Sequence, residues 1–289
     1  MEDPPYYLDE IDPNIPVEVR LKHNLRCSAY KGELYPLFWP RTYWKIGDTK
    51  DKITWADWFK QWETFEFLPD DIILSSYPKA GHHWMFEALH MIVSGEIKSQ
   101  NCSKSRNFID EREMEELKSL PSPRILLTHL KYKDIPKSLF QTGCKVLYLY
   151  RNPKDSAVSY MHHIKNLENA YKFKGTWDDY FEILMANKFE YGSWLENVPQ
   201  WWEKEKDNEN VLFMRYEQLK KNFKENSKRI AEFLGKQYKD DFYNELAVAC
   251  DFSTMQNNPK LDMANFKSKD VKHVFFRKGQ VGDWKNYFT

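Results

Sequence analysis

The sequence lacks the features that mark several common classes of protein. Its four cysteines are far apart and none stands in a C-x-x-C spacing, so neither a disulfide framework nor a zinc ribbon is predicted. Its 43 basic residues balance its 43 acidic residues, which argues against broad binding to nucleic acid or to a membrane surface. No apolar run approaches the roughly 18 residues that span a bilayer, and the acidic amino terminus has no apolar signal segment. We therefore predict a soluble, cytoplasmic protein with reduced thiols.

The chain also lacks a linker or an internal repeat that would divide it. A length of 289 residues allows one large α/β domain or two small ones. The even spread of charged residues favours a single domain that comprises residues 1–289. Aromatic residues make up 16% of the sequence and include 11 Trp. They indicate either a pocket with aromatic walls or a Trp-rich core, and the helical spacing of Trp55, Trp58 and Trp62 is typical of a core.

Short apolar runs alternate with helical stretches along the chain. The runs are typical of buried parallel strands and lie at Asp71–Tyr77, Arg124–Leu130, Lys145–Tyr150 and Asn210–Tyr216. The predicted helices cover Gly81–Val93, Pro153–Asn166, Trp177–Lys188, Ser193–Lys206 and Tyr216–Leu234. This alternation predicts an α/β fold with a central parallel sheet flanked by helices. Because ligands of such sheets bind beyond the carboxyl ends of the strands, the loops after these strands form the candidate site.

The loop after the first of these strands reads YPKAGHHW and runs from Tyr77 to Trp84. Gly81 permits a backbone conformation that other residues avoid, and the helix that follows would aim its first N–H groups and positive dipole end at the loop. Lys79 adds a mobile positive charge. The pattern favours a P-loop-like phosphate-binding strand-loop-helix, although the motif G-x-x-x-x-G-K-[ST] itself is absent. The alternative is an ordinary strand-turn-helix without a ligand.

Two further basic clusters strengthen the phosphate interpretation. Arg151 follows the strand KVLYLY and begins RNPKD, in which Pro153 suits the first turn of a helix. A planar guanidinium at this point can bind a phosphate through two hydrogen bonds. Near the carboxyl end, Arg277-Lys278-Gly279 places two cations beside a glycine. The sequence thus predicts a ligand with phosphate at both ends, unless these residues are solvated charges.

These motifs resemble those of the cytosolic sulfotransferase family. Six segments stand in the family's order and spacing, and the match covers nearly the whole chain. They are YPKAGHHW, PRILLTHL, KVLYLYRNPKDSAVSY, YGSWLENVPQWW, RYEQLKKNF and FRKGQVGDWKNYFT. The resemblance implies an enzyme that depends on 3'-phosphoadenosine 5'-phosphosulfate, called PAPS. Such an enzyme transfers the sulfuryl group by in-line displacement to a hydroxyl or amine of a small acceptor, here expected to be apolar or aromatic. It implies no metal.

The resemblance also assigns roles to particular residues. His129 would be the general base, and Lys79 would stabilise the charge that develops on the leaving phosphate. The residues implied for the cofactor are Lys79, Ala80, Gly81, His82, His83 and Trp84 at the 5'-phosphosulfate; Arg151, Ser159, Arg277, Lys278 and Gly279 at the 3'-phosphate; and Trp84, Tyr216, Cys250, Phe252 and Met255 around the adenine. The acceptor pocket would draw on the amino-terminal segment, about 1–65, with walls at 35–40 and 160–163.

The sequence departs from the family's usual pattern at several of these positions. The usual loop reads YPKSGTTW, so Ala80, His82 and His83 replace three hydroxyl side chains. A hydrogen bond to a charged group is worth about 1.5 to 3 kcal/mol, so losing three without replacement would weaken cofactor binding by orders of magnitude. We expect imidazole N–H donors to substitute for the hydroxyls, with an affinity that falls as the pH rises. Leu127 stands where the family usually has a lysine, two residues before the histidine.

Several alternatives stay open at this point. The departures favour a catalytically weak or inactive relative that acts as a binding protein. His83, Glu87 and His90 share one helical face and are compatible with a metal site, whereas a nucleotide kinase is disfavoured by the missing P-loop motif. Lys285 and Thr289 match the first half of a Lys-x-x-x-Thr-Val dimerisation segment common in the family. We therefore expect a truncated carboxyl-terminal tail and leave homodimerisation open.

Overall fold

A computed structural model gives the structure of residues 17–20, 25–30, 33–35, 55–99, 107–167, 171, 173–258, 261 and 276–288. An antiparallel sheet that the sequence did not predict lies near the amino terminus. Its strands are β1 (Val17–Arg20), β2 (Arg26–Tyr30) and β3 (Glu33–Tyr35), paired in that order. The strands are only three to five residues long, which is why their pattern is weak in the sequence. The backbone N–H of Tyr191 donates to the carbonyl of Leu34 and so fixes β3 against the YGSW segment.

Four parallel strands form the central sheet. They are β4 (Ile72–Ser76), β5 (Ile125–Thr128), β6 (Lys145–Tyr150) and β7 (Val211–Arg215), in the spatial order β5-β4-β6-β7. All five residues of β4 are buried, as expected for a central strand covered on both faces. The predicted fold class is therefore confirmed, and the four predicted strands lie within one or two residues of the observed ones.

Eleven α-helices are present in the part of the chain that the structure describes. They are α1 (Trp55–Glu63), α2 (His82–Ser94), α3 (Met114–Lys118), α4 (Ser138–Gln141), α5 (Pro153–Asn166), α6 (Trp177–Met185), α7 (Trp194–Glu205), α8 (Tyr216–Lys221), α9 (Phe223–Phe233), α10 (Asp240–Ala249) and α11 (Phe252–Gln256). α5 begins as the sequence predicts, with Pro153 in its first turn and the Asn152 side chain accepting from the backbone N–H of Lys154. None of the described helices is both long and apolar enough to cross a bilayer.

The single helix predicted over Tyr216–Leu234 is wrong, because the structure has two helices there. The chain leaves the helical conformation at Asn222, where φ is −141°. The side chain of Asn226 donates to the carbonyls of Gln218 and Asn222 and so ties the end of the first of these helices to the start of the second.

The parallel sheet separates two hydrophobic clusters. Ile73 and Leu126 face the cluster that contains Trp58 and Trp62, while alternate strand residues such as Leu74 face the other cluster. The indole rings of Trp58 and Trp62 are stacked, with centroids 5.6 Å apart, and both side chains are fully buried. For these two residues the core interpretation of the tryptophan pattern is correct.

A buried ion pair joins the amino-terminal ends of two strands of the parallel sheet. Arg124, just before β5, donates through Nε and Nη2 to the two carboxylate oxygens of Asp71, at 2.7 and 2.5 Å. Asp71 also accepts from the backbone N–H of Leu68 at 2.8 Å. This end of the sheet is thus locked by paired charges, while the opposite, carboxyl end carries the candidate site.

Candidate active site

The loop between β4 and α2 has an unusual backbone conformation. Lys79 and Gly81 both have left-handed φ values, 68° and 105°, and this region costs a non-glycine residue about 1 kcal/mol or more. A Cβ atom at Gly81 would lie 2.9 Å from Cδ2 of Tyr216, so close packing as well as φ requires glycine there. The loop is therefore held in a strained shape by its surroundings, as functional loops commonly are.

The amino terminus of α2 is arranged to receive an anion. Gly81 is its N-cap residue, no side chain caps the helix, and its first turn holds no acidic residue. The first backbone N–H groups and the positive end of the helix dipole are thus directed at the loop without a competing side chain. This is the P-loop-like strand-loop-helix predicted from YPKAGHHW.

Arg151, just beyond β6, closes one side of this loop. Its Nη1 donates to the carbonyl of Lys79 at 3.3 Å and its Nη2 to the carbonyl of Gln280 at 2.9 Å. The guanidinium carbon lies 4.4 Å from the ring centroid of Tyr216. Its Nε is buried and has no hydrogen-bond partner among the described residues. Because a buried donor without a partner is costly, this side chain fits a site for an anionic ligand.

The segment 276–288 brings two more cations to the site. Arg277 and Lys278 both donate to the carboxylate of Asp283. Asp155, in the first turn of α5, accepts from the backbone N–H of Gly282 at 2.8 Å and so holds the segment beside α5. The basic clusters at Arg151 and Arg277 are therefore joined in space, although 126 positions separate these two residues in sequence. The carbonyl of Gln280 links them by accepting from Arg151.

The side chains expected around an adenine come together next to these cations. Trp84, Cys250, Phe252 and Met255 all belong to one hydrophobic cluster. The indole N–H of Trp84 donates to the carbonyl of Cys250 at 2.8 Å, and its ring meets Tyr216 edge to face at 5.6 Å. Gly279 packs so closely on Phe252 that a Cβ atom there would lie 2.3 Å from the ring. Aromatic faces suited to a base thus lie beside the phosphate-type contacts.

Lys79 is the half-buried cation at the centre of the loop. Burial lowers its pKa to about 7, and the positive charges of Arg151 and Arg277 act in the same direction, opposed by the carboxylate of Glu190. A phosphate bound among these cations would favour the charged ammonium and raise the pKa of Lys79 again. Protonation of Lys79 would therefore be coupled to the binding of an anion in this loop.

His129 lies just beyond the carboxyl end of β5. Its Nδ1 is 2.8 Å from the carbonyl oxygen of Ser76 and 3.3 Å from the hydroxyl of the same residue. Because a carbonyl can only accept, Nδ1 carries the proton and Nε2 is the basic nitrogen of the neutral ring. The backbone N–H of His129 donates to Asp110 at 2.8 Å, and the other oxygen of that carboxylate accepts from Thr128 at 2.5 Å. The histidine is thus fixed in position and tautomer, as a general base requires.

His82, assigned from the sequence to the phosphosulfate, turns its ring toward His129. Its Nε2 lies 2.8 Å from the carbonyl of Leu74, and its Nδ1 lies 3.3 Å from Nε2 of His129. The two ring centroids are 4.3 Å apart. Since both ring nitrogens contact protein groups, this ring cannot also donate to a phosphosulfate in the arrangement seen here. Cofactor binding by the backbone N–H of His82, or by half-buried His83, stays a prediction.

The other two departures from the family pattern are absorbed by apolar packing. Ala80 and Leu127 are buried in the same hydrophobic cluster. The next lysines along the chain, Lys131 and Lys133, both form ion pairs with Glu33. Neither therefore replaces the cation that the family usually carries at the position of Leu127.

The remaining expectations have mixed outcomes. Ser159 lies half-buried on α5 and stays a prediction as a phosphate ligand. Of the expected acceptor walls, 36–40 lie outside the described residues, whereas Tyr160 is buried and donates to Glu190 at 2.5 Å. Cys102 and Thr289 also lie outside the described residues. In the part of the chain that is described, no group of three or more His, Cys, Asp or Glu side chains could hold a metal ion, so the helix-face metal alternative is not supported.

Sequence reasoning missed three acidic residues that organise the site. Asp110, on a short 3-10 turn over Ile109–Glu111, supports His129, while Asp155 and Asp283 position and neutralise the basic segment at Arg277. Some of these residues lie far in sequence from the residue that they support. Others belong to a charged run whose pattern is typical of solvated surface. Of the three, only Asp155, in RNPKD, had a local signal, because a negative charge is favourable in the first turn of a helix.

Comparison with known proteins agrees with this geometry. Residues 69–289 match the family model described as a sulfotransferase domain. Sulfotransferase 1B1 of Canis lupus familiaris is 38% identical over 256 residues, which cover 82% of this chain and 84% of that protein. Sulfotransferase 1C2 of Homo sapiens is 35% identical over 249 residues, with coverage of 81% and 83%.

Solved structures give the same result. The crystal structure of mouse sulfotransferase SULT7A1 complexed with PAP is similar with a TM-score of 0.68 and 35% identity, covering 80% of this chain and 83% of that chain. Retinol dehydratase in complex with androsterone and inactive cofactor PAP shares the fold, with a TM-score of 0.73, 20% identity, and coverage of 95% and 85%.

Proposed function

The chain belongs to the sulfotransferase family, and from that premise we propose that it binds PAPS and transfers the sulfuryl group to a hydroxyl or amine of a small acceptor. The observation that carries the proposal is the buried Nε of Arg151, which has no hydrogen-bond partner in the described part of the chain and lies close to the start of α2. Both features fit phosphate groups. A cytoplasmic location, an apolar or aromatic acceptor and a reaction without metal are parts of the same proposal.

The residues of the site fit a nucleotide that carries phosphate at both ends. When bound, PAPS supplies an activated sulfuryl group on its 5'-phosphate. Lys79 and the first N–H groups of α2 would hold that end, while Arg151 and Arg277, joined through the segment that contains Gln280, would hold the 3'-phosphate. Phe252, packed on Gly279, would form one wall of the adenine site.

His129 is the residue proposed to accept the proton of the acceptor. Its Nδ1–H is held by the carbonyl of Ser76, so Nε2 is the nitrogen that can take a proton. Asp110 fixes the backbone at His129 and adds a negative charge close to a ring that becomes positive during the reaction. Lys79 would neutralise the charge that builds on the leaving phosphate, and it can do so fully only in its protonated form.

A catalytically weak or inactive binding protein is the second candidate. It is favoured by the burial of Ala80 and Leu127 among apolar side chains and by the contact of the His82 ring with His129. Together these leave the loop without the three hydroxyls and the lysine of the usual family pattern. The backbone donors of α2 remain, so this candidate predicts binding of the nucleotide with little or no transfer.

Calorimetric titration with adenosine 3',5'-bisphosphate, with ATP as the control ligand, tests the binding part of the proposal. We expect selective binding at micromolar affinity or better, and failure of the folded protein to bind would contradict both candidates. Transfer is then assayed with sulfur-labelled PAPS and a panel of phenols, alcohols, amines and sterols. Transfer that disappears in His129→Asn supports the enzyme, whereas binding without transfer to any acceptor supports the second candidate.

A further inference from the structure

His82 and His129, at the carboxyl end of the sheet, contact each other through one ring nitrogen each. If both rings were neutral, each of these nitrogens would carry a lone pair and no proton. The carbonyl of Leu74 can only accept, so Nε2 of His82 carries a proton, and the carbonyl of Ser76 likewise places a proton on Nδ1 of His129. In two neutral rings the remaining nitrogens, Nδ1 of His82 and Nε2 of His129, are both acceptors. These two atoms lie 3.3 Å apart, so a proton on either nitrogen would be within hydrogen-bond reach of the other.

We propose that His82 and His129 bind one proton between them and act as a single base, with His82 as a positioning residue that sets when His129 can accept a proton. The inference rests on the proposed role of His129 in sulfuryl transfer. With the shared proton in place, neither ring offers a free lone pair. Loss of that proton gives the neutral pair, which is the form able to receive the proton of the acceptor.

The reaction step balances in the following way. In the neutral pair, Nε2 of His129 takes the proton of the acceptor O–H. The electron pair of that O–H bond forms the new bond to sulfur. The bond between sulfur and the phosphate oxygen breaks, and its electron pair leaves with the phosphate. His82 thus accepts a hydrogen bond from the imidazolium form of His129, and hydrogen bonds to charged groups are the strong ones.

Other titratable groups lie close to the pair in the structure or in the sequence. Asp110 binds the backbone N–H of His129, and Tyr191, which Glu190 precedes, places its ring centroid 5.5 Å from that of His129. Lys79 lies three positions before His82 in the same loop. The carboxylates favour the shared proton and the ammonium opposes it. Because all of these groups remain when His82 is replaced, the comparison below isolates the contribution of His82.

The shape of the surrounding pocket explains why the rings stay together. Phe108 packs against both histidines, with ring centroids 5.7 Å from His82 and 5.1 Å from His129. The His82 side chain is buried, at 3% exposure. In a partly apolar enclosure, two imidazoles that share a proton hold it more strongly than one imidazole alone. The two rings should therefore titrate as a pair rather than independently.

The test is nitrogen-detected NMR titration of the histidine rings in the full chain, compared with His82→Thr and His83→Thr. Threonine is the family's usual residue at both positions, so we expect both variants to fold, and circular dichroism and thermal melting test this. We expect the rings of His82 and His129 to titrate together in the unaltered chain and in His83→Thr. In His82→Thr, His129 should titrate alone, with its midpoint lower by about one pH unit or more, since one hydrogen bond to the charged ring is lost.

The pH dependence of transfer gives a second, independent readout. The rising limb of kcat/KM should move to lower pH by about the same amount in His82→Thr, a change that loss of packing alone would not produce. Independent titration of the two rings in the unaltered chain, or an unchanged His129 midpoint in His82→Thr, would overturn the proposal. Coupled titration without any transfer would support the shared proton while contradicting the proposed enzymatic function, so the two failures are distinguishable.

Discussion

Replacement of Gly279 by alanine tests whether the pocket wall at Phe252 holds the base of the nucleotide. Gly279 has φ +62°, and a Cβ atom on it would lie 2.3, 2.7 and 2.8 Å from three atoms of the Phe252 ring. Ordinary contact begins at 3.4 Å, so the ring or the backbone must move by about 1 Å. Gly235 provides a matched control, because it has φ +67° and nothing within 4 Å of the same added atom.

The two substitutions should have the same backbone cost and different effects on binding. Left-handed φ costs an alanine about 1 to 2 kcal/mol in either place, so both variants should lose a similar part of their free energy of unfolding, with an added loss from the clash in Gly279→Ala. Stacking of a base on an aromatic ring is worth about 1 to 3 kcal/mol. Displacing Phe252 should therefore weaken binding of adenosine 3',5'-bisphosphate by about fivefold to about 150-fold.

The assay is calorimetric titration of both variants with adenosine 3',5'-bisphosphate, together with thermal melting to establish that each is folded. We expect Gly235→Ala to keep the affinity of the unaltered chain and Gly279→Ala to lose it to the stated extent. An unchanged affinity in folded Gly279→Ala would refute the placement of the base against Phe252. An equal loss in both variants would show that backbone strain, not the ring, is responsible.

Three further predictions concern charge. Arg151→Lys should weaken binding of adenosine 3',5'-bisphosphate by about tenfold or more but hardly change binding of AMP, since lysine cannot form the planar two-bond contact to a 3'-phosphate; equal losses for both nucleotides in calorimetry would contradict this placement. Because the pKa of Lys79 is lowered to about 7 by burial and a bound phosphate raises it, affinity should be full below about pH 7 and fall above it, by up to about tenfold per pH unit; the same titration of Lys79→Arg should be flat, and a flat profile in the unaltered chain would refute the coupling. Arg124→Met should cost about 3 to 5 kcal/mol in denaturant unfolding by leaving the Asp71 carboxylate buried without its cation, and adding Asp71→Leu should recover much of that loss; a double variant as unstable as the single one would count against this explanation.

The pattern of the sequence was sufficient for the central sheet. The run KVLYLY is typical of a buried strand, and Pro153 suits the first turn of a helix, so β6 and α5 were predicted at their observed bounds. The amino-terminal strands were not predictable, since they are short, and Leu34 is fixed by a hydrogen bond from Tyr191, more than 150 positions away. The break at Asn222 carries a local signal that the prediction missed, an asparagine followed three positions later by Glu225, which is the spacing of a helix start.

The cationic and aromatic parts of the candidate site were also within reach of the sequence. Lys79, Arg151 and Arg277 belong to motifs whose residue types suit phosphate by local backbone and side-chain chemistry, and the resemblance of those motifs to one family predicted a common ligand for them. The supporting acidic residues were out of reach. Asp110 acts on His129 from a turn of its own, and its role depends on a contact that no spacing encodes.

His82 shows where the sequence stops and the tertiary structure begins. The sequence alone determined that an imidazole replaces a hydroxyl at the start of α2, and from that it was natural to expect a donor to phosphate. The direction of the ring was decided by the packing of α2 on the sheet, which brings the Leu74 carbonyl to one nitrogen and His129 to the other. A side chain's chemical capacity is a local property, whereas the partner that uses it is set by strands and helices that meet only in the folded chain.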